Sequence, residues 1–341
     1  MLRIDELEAQ ARAVLPGPAY DYYAGGSGSG QTVADNIAAW DRVRLRPYVL
    51  RDVTTVSTAL SVLGRPVPAP LLVAPTAFHR LAHPDGELAT AAGAAAAGVP
   101  YVVSTRCSLP LSEIAAAAGP WWFQVYVLRD RGRTADLVAQ AVAGGAEALM
   151  LTADTPVVGE KLSVRDEVVP EREFLINHPG LRDRLLAAEA RDVTPADIEW
   201  LRTLSNLPVV VKGLLRGDEA RTCVAAGAEA VVVSNHGGRQ LDGAVASADA
   251  LAEVVAAVGG DVEVYVDGGV RRGVDVLRAL ALGARAVLIG RPVLWGLAVD
   301  GADGVRRVLE EMAADLAHVM ALAGTPTIAE VTGDLLAPRS A

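Results

Sequence analysis

The chain has 341 residues, 51% hydrophobic and 21% charged, which supplies a large apolar core and leaves too little charge for wholesale disorder. A net charge of −10 argues against nucleic acid and against an anionic membrane surface as partners. An anionic substrate must then be drawn in by a local basic pocket.

The opening segment "MLRIDELEAQARAVLPG" is acidic and has no long apolar run, so it predicts an amphipathic helix rather than a signal peptide. Residues 1–70 are expected to form an N-terminal helical extension and a short hairpin that closes the lower mouth of the fold. The alanine-rich stretch 88–103 is interrupted by Gly93, Gly98 and Pro100, which predicts a helix and then a strand, not a membrane span.

Three segments echo one another: "GGAEALML" from Gly144, "AGAEAVVV" from Ala226 and "LGARAVLI" from Leu282. In each, glycine suits the left-handed end of a helix, and a strand follows without polar alternation, as in a parallel sheet buried on both faces. Eight strands are predicted, at 71–74, 101–104, 122–126, 148–152, 209–212, 230–234, 263–267 and 286–289. Eight βα units in about 230 residues match an α/β fold of the (β/α)8 TIM-barrel type. A doubly wound open sheet is less favoured, because no GxGxxG follows the first strand.

The expected organisation is a single domain over 1–341: extension 1–70, barrel 71–336, and a long loop after strand 4 that forms a lid or insertion at 155–206. Within that insertion 181–191 and 196–204 read as helical, the second with Thr194 as N-cap and Pro195 in its first turn. Cys107 and Cys223 sit in no CxxC pattern, and no cluster has metal-ligand spacing. Two buried thiols in a reducing cytoplasm, and no metal, are expected.

In barrels of this kind the active site lies at the C-terminal ends of the strands. Polar groups follow almost every predicted strand: Pro75, Thr76 and Ala77; Ser104, Thr105 and Arg106; Gln124 and Tyr126; Thr152 and Asp154; Lys212; Ser234, His236 and Arg239; Asp267, Gly268, Gly269 and Arg271; Gly290 and Arg291. "DGGVRRG" and "IGRP" fall after strands seven and eight, the usual phosphate site, where backbone N–H groups and arginines hold an anion.

"SNHGGRQLDG", "DGGVRRGVDVLRALALGARAVLIGRP", "FQVY", "LTADTP", "VVKG", "APTAFHRLAHPDGE" and "YDYYAGGSG" together make the chain resemble the FMN-dependent α-hydroxy-acid oxidase and dehydrogenase family from about Tyr20 to Leu336. "AHPDGE" and the general spacing point toward its bacterial hydroxymandelate oxidases. The resemblance implies FMN as cofactor and an (S)-2-hydroxy acid as substrate, oxidised to the 2-oxo acid. Reoxidation by O2 to give H2O2 is favoured over a quinone or protein acceptor, and oxidative decarboxylation is a further alternative. A flavin-dependent isomerase or a non-catalytic phosphate-binding barrel is more distant. A homotetramer is implied as well, and the two cysteines favour the cytoplasm.

Carried over by residue, the resemblance makes His236 the base and Asp154 the partner of its protonated form. Arg239 and Tyr22 would hold the substrate carboxylate, and Tyr126 would bond near the substrate oxygen. Lys212 would stabilise the reduced flavin anion. Pro75, Thr76, Ala77, Ser104, Gln124, Thr152 and Ser234 would line the isoalloxazine and ribityl chain; Asp267, Gly268, Gly269, Arg271, Gly290 and Arg291 would take the ribityl and phosphate end.

Two departures stand out. Arg106 replaces the aromatic residue common in the family, and Lys161 aligns where an arginine usually helps hold the carboxylate. Lysine is a point charge and not an equivalent clamp. Arg106 either lends the pocket a positive group, favouring a polar or anionic substrate side chain, or turns to solvent or to a lid acid such as Glu160.

Overall fold

The computed structural model describes residues 3–160, 168–170, 176–177 and 188–338. Eight parallel strands close into a barrel: β3 (Leu71–Val73), β4 (Tyr101–Ser104), β5 (Trp121–Val125), β6 (Leu149–Thr152), β7 (Val209–Leu214), β8 (Ala230–Val233), β9 (Glu263–Val266) and β10 (Ala286–Ile289), with β10 pairing back onto β3. All eight lie within two residues of the boundaries expected from the sequence. The three repeated glycines, Gly145, Gly227 and Gly283, each take a positive φ between a helix and its strand.

Unbroken apolar strands arise because both faces are buried. Leu72, Val102, Trp122, Met150, Val210, Val232, Tyr265 and Leu288 fill the barrel interior. Their alternate neighbours, such as Val73, Val103, Phe123, Leu151, Val211 and Val233, pack outward against the helices. Period-two alternation thus sorts one apolar run onto two cores, and each large side chain buried contributes roughly 1.5–3 kcal/mol.

The expectation for residues 1–70 needs one correction. A hairpin, β1 (Leu60–Val62) and β2 (Arg65–Val67), does close the lower mouth: Val62 and Val67 plug the interior, and Leu63 N–H donates to Glu263 at the foot of β9. There are, however, three helices before it, Ile4–Val14, Gly17–Ala24 and Gln31–Arg42. The second of them and the loop after it run to the opposite, upper rim, because Arg239 and Arg291 there bind their carbonyl oxygens.

Of the expected insertion, 161–167, 171–175, 178–180 and 181–187 lie outside the described residues, and with them Lys161. The helix expected at 196–204 spans Ala196–Ser205, so Pro195 stands just before it rather than in its first turn. Thr194 does not cap it with its side chain; its N–H instead donates to Asp197 Oδ2 at 2.8 Å. Among the described residues no helix is long and apolar enough to cross a membrane, and no group of His, Cys, Asp and Glu has the makings of a metal site.

Candidate active site

A cavity of about 320 Å³ opens at the C-terminal ends of the strands. Its wall includes Tyr22, Pro75, Thr76, Ala77, Ser104, Arg106, Gln124, Tyr126, Thr152, Lys212, His236, Arg239, Asp267, Gly268, Gly269, Arg271, Gly290 and Arg291. Of the residues assigned a role there and described, only Asp154 and Ser234 stand behind that wall, and both hold residues that form it.

His236 begins a tight turn after β8. Its φ is +60°, uncommon for a residue with a side chain, and such strain persists only where surrounding contacts impose it. Those contacts are present. Ser234 Oγ accepts from His236 N–H at 3.0 Å, and Asn235 Oδ1 accepts from Gly238 N–H at 3.1 Å. The Asn235 amide is locked to Asn36 by two reciprocal bonds of 2.8 Å. The polar cluster that ends an apolar strand is therefore a brace for one imidazole.

His236 Nδ1 lies 2.9 Å from Asp154 Oδ1. Burial by itself would raise the Asp154 carboxyl, but His236 and Lys212 beside it prevail and hold it below the usual carboxylate range. An ionised Asp154 accepts, so Nδ1 carries the proton and Nε2 is left as the acceptor. Gly213 makes room for this pair: a Cβ there would stand 2.7 Å from the Asp154 side chain.

Lys212 is buried and bonded to Ser234 Oγ at 2.8 Å and Asp267 Oδ2 at 3.0 Å. Burial opposes its charge, and Asp267 and Asp154 outweigh that, so its pKa is raised and the ammonium is kept. Gln124 bridges Ser104 and Thr152, accepting from the first at 3.2 Å and donating to the second at 2.9 Å.

Arg239 donates through Nη1 to the carbonyls of Tyr22 at 2.6 Å and Gly25 at 3.0 Å, and its guanidinium lies 5.0 Å over the Tyr22 ring. Burial raises the pKa of Tyr22, partly countered by Arg239 and Arg106. Tyr126 is likewise raised by burial, with Asp154 and Glu189 adding to it, so both phenols stay protonated. Arg291 is tied to the carbonyls of Tyr23, Gly237 and Gly25 at 2.9, 3.1 and 2.9 Å.

A family profile described as "FMN-dependent dehydrogenase" matches residues 11–338. The chain belongs to that family. It is an FMN-dependent oxidoreductase. An L-lactate oxidase of Nostoc sp. is 46% identical and covers 98% of each chain. A 4-hydroxymandelate oxidase of Amycolatopsis orientalis is 47% identical over 95% of this chain and 94% of that one. A solved mandelate oxidase structure with (S)-4-hydroxymandelic acid superposes with a TM-score of 0.91 at 44% identity, covering 99% of this chain and 98% of that one.

The residues fit the cofactor of this FMN-dependent family. Asp267 Oδ1 is buried and bonds to nothing among the described residues, as expected of an acceptor awaiting a hydroxyl. Arg291 is pulled down to about 9 by burial and by the neighbouring Arg239 and Arg271, a crowd of cations that an anion relieves. Gly269 lies so close to Asn36 that a Cβ would meet its carbonyl oxygen at 2.0 Å, so only backbone forms the wall there.

Several contributors were not anticipated. Tyr23, Phe78, Thr155, Val158, Glu189, Gln240 and Leu294 also line the cavity. Gln240 donates to the Asp154 and Val157 carbonyls, and Asp242 accepts from Ser29 and Thr32. Their signal was their place inside "SNHGGRQLDG", which otherwise supplied only Ser234, His236 and Arg239. His79 follows β3 yet is absent from the cavity wall. It is fully buried between Thr76 and Thr90. Arg106 does not turn to solvent; it pairs with an acid of the expected lid, Glu189 rather than Glu160, bonding its Oε1 at 2.7 Å.

Proposed function

We propose that this enzyme oxidises an (S)-2-hydroxy acid, mandelate-like in size, to the 2-oxo acid, with O2 as the acceptor and H2O2 as the second product. One observation carries the reading: His236, oriented by Asp154, opens into the same cavity as Arg239 and Lys212.

The roles follow from that geometry. Arg239, fixed in advance by two carbonyls, takes the substrate carboxylate with Tyr22, so little orientation is left to be frozen on binding. His236 Nε2 accepts a proton from the hydroxy acid, and Asp154 stabilises the imidazolium that results. The Tyr126 phenol, kept protonated, donates to the substrate oxygen. Asp267, Arg271 and Arg291, with the backbone of Gly268, Gly269 and Gly290, would hold the ribityl and phosphate end of FMN. Lys212, Ser104, Gln124, Thr152 and the 75–77 backbone would hold the ring end, with Ser234 acting through Lys212. When bound, FMN supplies the two-electron acceptor. Lys212, kept charged by Asp267 and Asp154, would stabilise the negative charge of the reduced ring.

The relatives named as oxidases support O2 over a quinone. A homotetramer is proposed with it; exposed Val49 and Leu50 offer apolar surface suited to contact between copies. A cytoplasmic location agrees with two buried free cysteines.

The test is direct. The purified protein should be yellow, (S)-mandelate or (S)-lactate should bleach it without air, and readmitted O2 should restore the colour with one H2O2 per turnover. A flavin that no 2-hydroxy acid bleaches refutes the reading. Bleaching that only a dye or quinone reverses reassigns the acceptor.

A further inference from the structure

The wall of the cavity carries a feature that oxidation itself does not require. Arg106 and Glu189 both line the wall, bonded at 2.7 Å, with side chains only 6% and 18% exposed. Each is held at its backbone. Arg106 N–H donates to Ser104 Oγ at 3.1 Å, and its carbonyl accepts from Phe78 at 2.9 Å. Glu189 sits opposite Leu128 in a short antiparallel bridge. Arg129 N–H donates to the Ala188 carbonyl at 3.0 Å, and Ala190 N–H to that of Val127 at 2.8 Å. That bridge follows directly on Tyr126. The pair lines the same cavity as Tyr22 and Tyr126, the two tyrosines proposed for the substrate.

The pair presents donors and an acceptor but no net charge. A hydrocarbon against it would strip water from both groups and return no bond. A carboxylate would meet Glu189, and could gain Arg106 only by leaving that carboxylate buried without its partner, a severe penalty. A hydroxyl or amide can donate to Glu189 and accept from Arg106 while the pair stays intact.

We propose that Arg106 and Glu189 together form a specificity element that selects 2-hydroxy acids whose side chain ends in a neutral hydrogen-bonding group, a hydroxyl or an amide. This rests on the 2-hydroxy-acid reading above. It narrows the alternatives that Arg106 raised in the sequence, because Glu189 cancels the positive charge that would draw a diacid.

Two substrate sets that differ only at the far end provide the test: (S)-2-hydroxybutyrate, (S)-2,4-dihydroxybutyrate and (S)-malate; and (S)-mandelate with its 4-hydroxy and 4-carboxy derivatives. In at least one set kcat/KM should be highest for the hydroxylated member, by about tenfold or more. Dissociation constants of the matching 2-oxo acids, read from the shift of the flavin band, should rank the same way. Glu189→Gln removes the cancelling charge and should raise the carboxylated member relative to the hydroxylated one by about tenfold. Arg106→Leu should move the preference to the hydrocarbon. If Arg106→Leu does not fold, Glu189→Gln decides; if neither variant retains FMN, the native ranking decides. A hydrocarbon or carboxylate preferred in both sets, or a ranking unchanged in an FMN-loaded Glu189→Gln, overturns the inference while bleaching leaves the parent reading standing. Failure of every member to bleach the flavin overturns both.

Discussion

Asp154 grips the His236 ring through a 2.9 Å bond to Nδ1, and Gln240 holds Asp154 in turn by donating to its carbonyl at 2.8 Å. Asp154→Asn keeps the shape but replaces the carboxylate with an amide that no longer stabilises an imidazolium. Turnover should fall by about 10²- to 10⁴-fold, with FMN still bound. Stopped-flow bleaching of the flavin measures this, and an unchanged rate would remove Asp154 from the mechanism.

Arg291, proposed for the phosphate end of FMN, is tied to two carbonyls of the N-terminal segment, Tyr23 and Gly25, and to that of Gly237 in the loop after β8. Charged hydrogen bonds of this kind are worth about 1.5–3 kcal/mol. Arg291→Met should therefore weaken FMN binding by about 10- to 100-fold, visible as flavin fluorescence released on dilution. Arg291→Lys should recover little of the loss, since one ammonium cannot span three acceptors in a plane.

Asp242 fastens the helix Gln31–Arg42 to the loop after His236 by accepting from the N–H and hydroxyl groups of Ser29 and Thr32. The backbone bond from Thr32 and the side-chain bond from Ser29 lead in holding its carboxyl well below the usual range. A depressed folded pKa means stability that is complete above the ordinary carboxylate value of about 3.9. That stability is lost as pH falls through the lower folded value. Asp242→Ala should be less stable than the native protein at pH 7, and the gap should shrink below about pH 4. Urea midpoints at pH 7 and pH 3.5 give the comparison; a gap that widens in acid contradicts it.

Gly269 and Gly64 share a φ of +78°, yet a Cβ at Gly64 would meet nothing within 4 Å. Gly64→Ala should cost about 1 kcal/mol from conformation alone. Gly269→Ala adds a clash with the Asn36 backbone and should cost more than about 3 kcal/mol. Thermal melts separate the two. Equal losses would mean that the Asn36 backbone yields freely.

The barrel was legible because its signal is local. Eight apolar runs, three of them led by the same helix-closing glycine, need no tertiary information to be counted. The polar residues after each run were legible for the same reason, since chain order alone assigns them to one rim. What the sequence hides is partnership over distance. Nothing in "TRC" or "AEA" foretells which side chain will be met, and the pairing of Arg106 with Glu189 spans 83 positions. The course of residues 17–30 was missed on the same ground. Their pull to the upper rim comes from arginines more than two hundred residues later, not from their own composition.

The arginine at 291 follows by more than 260 positions the Tyr23 and Gly25 carbonyls that receive it. A nascent chain thus carries half a socket until the loop after the eighth barrel strand has been made. Flavin capture then waits for that loop rather than guiding the folding that precedes it, and a truncated product that stops short of this residue should emerge colourless.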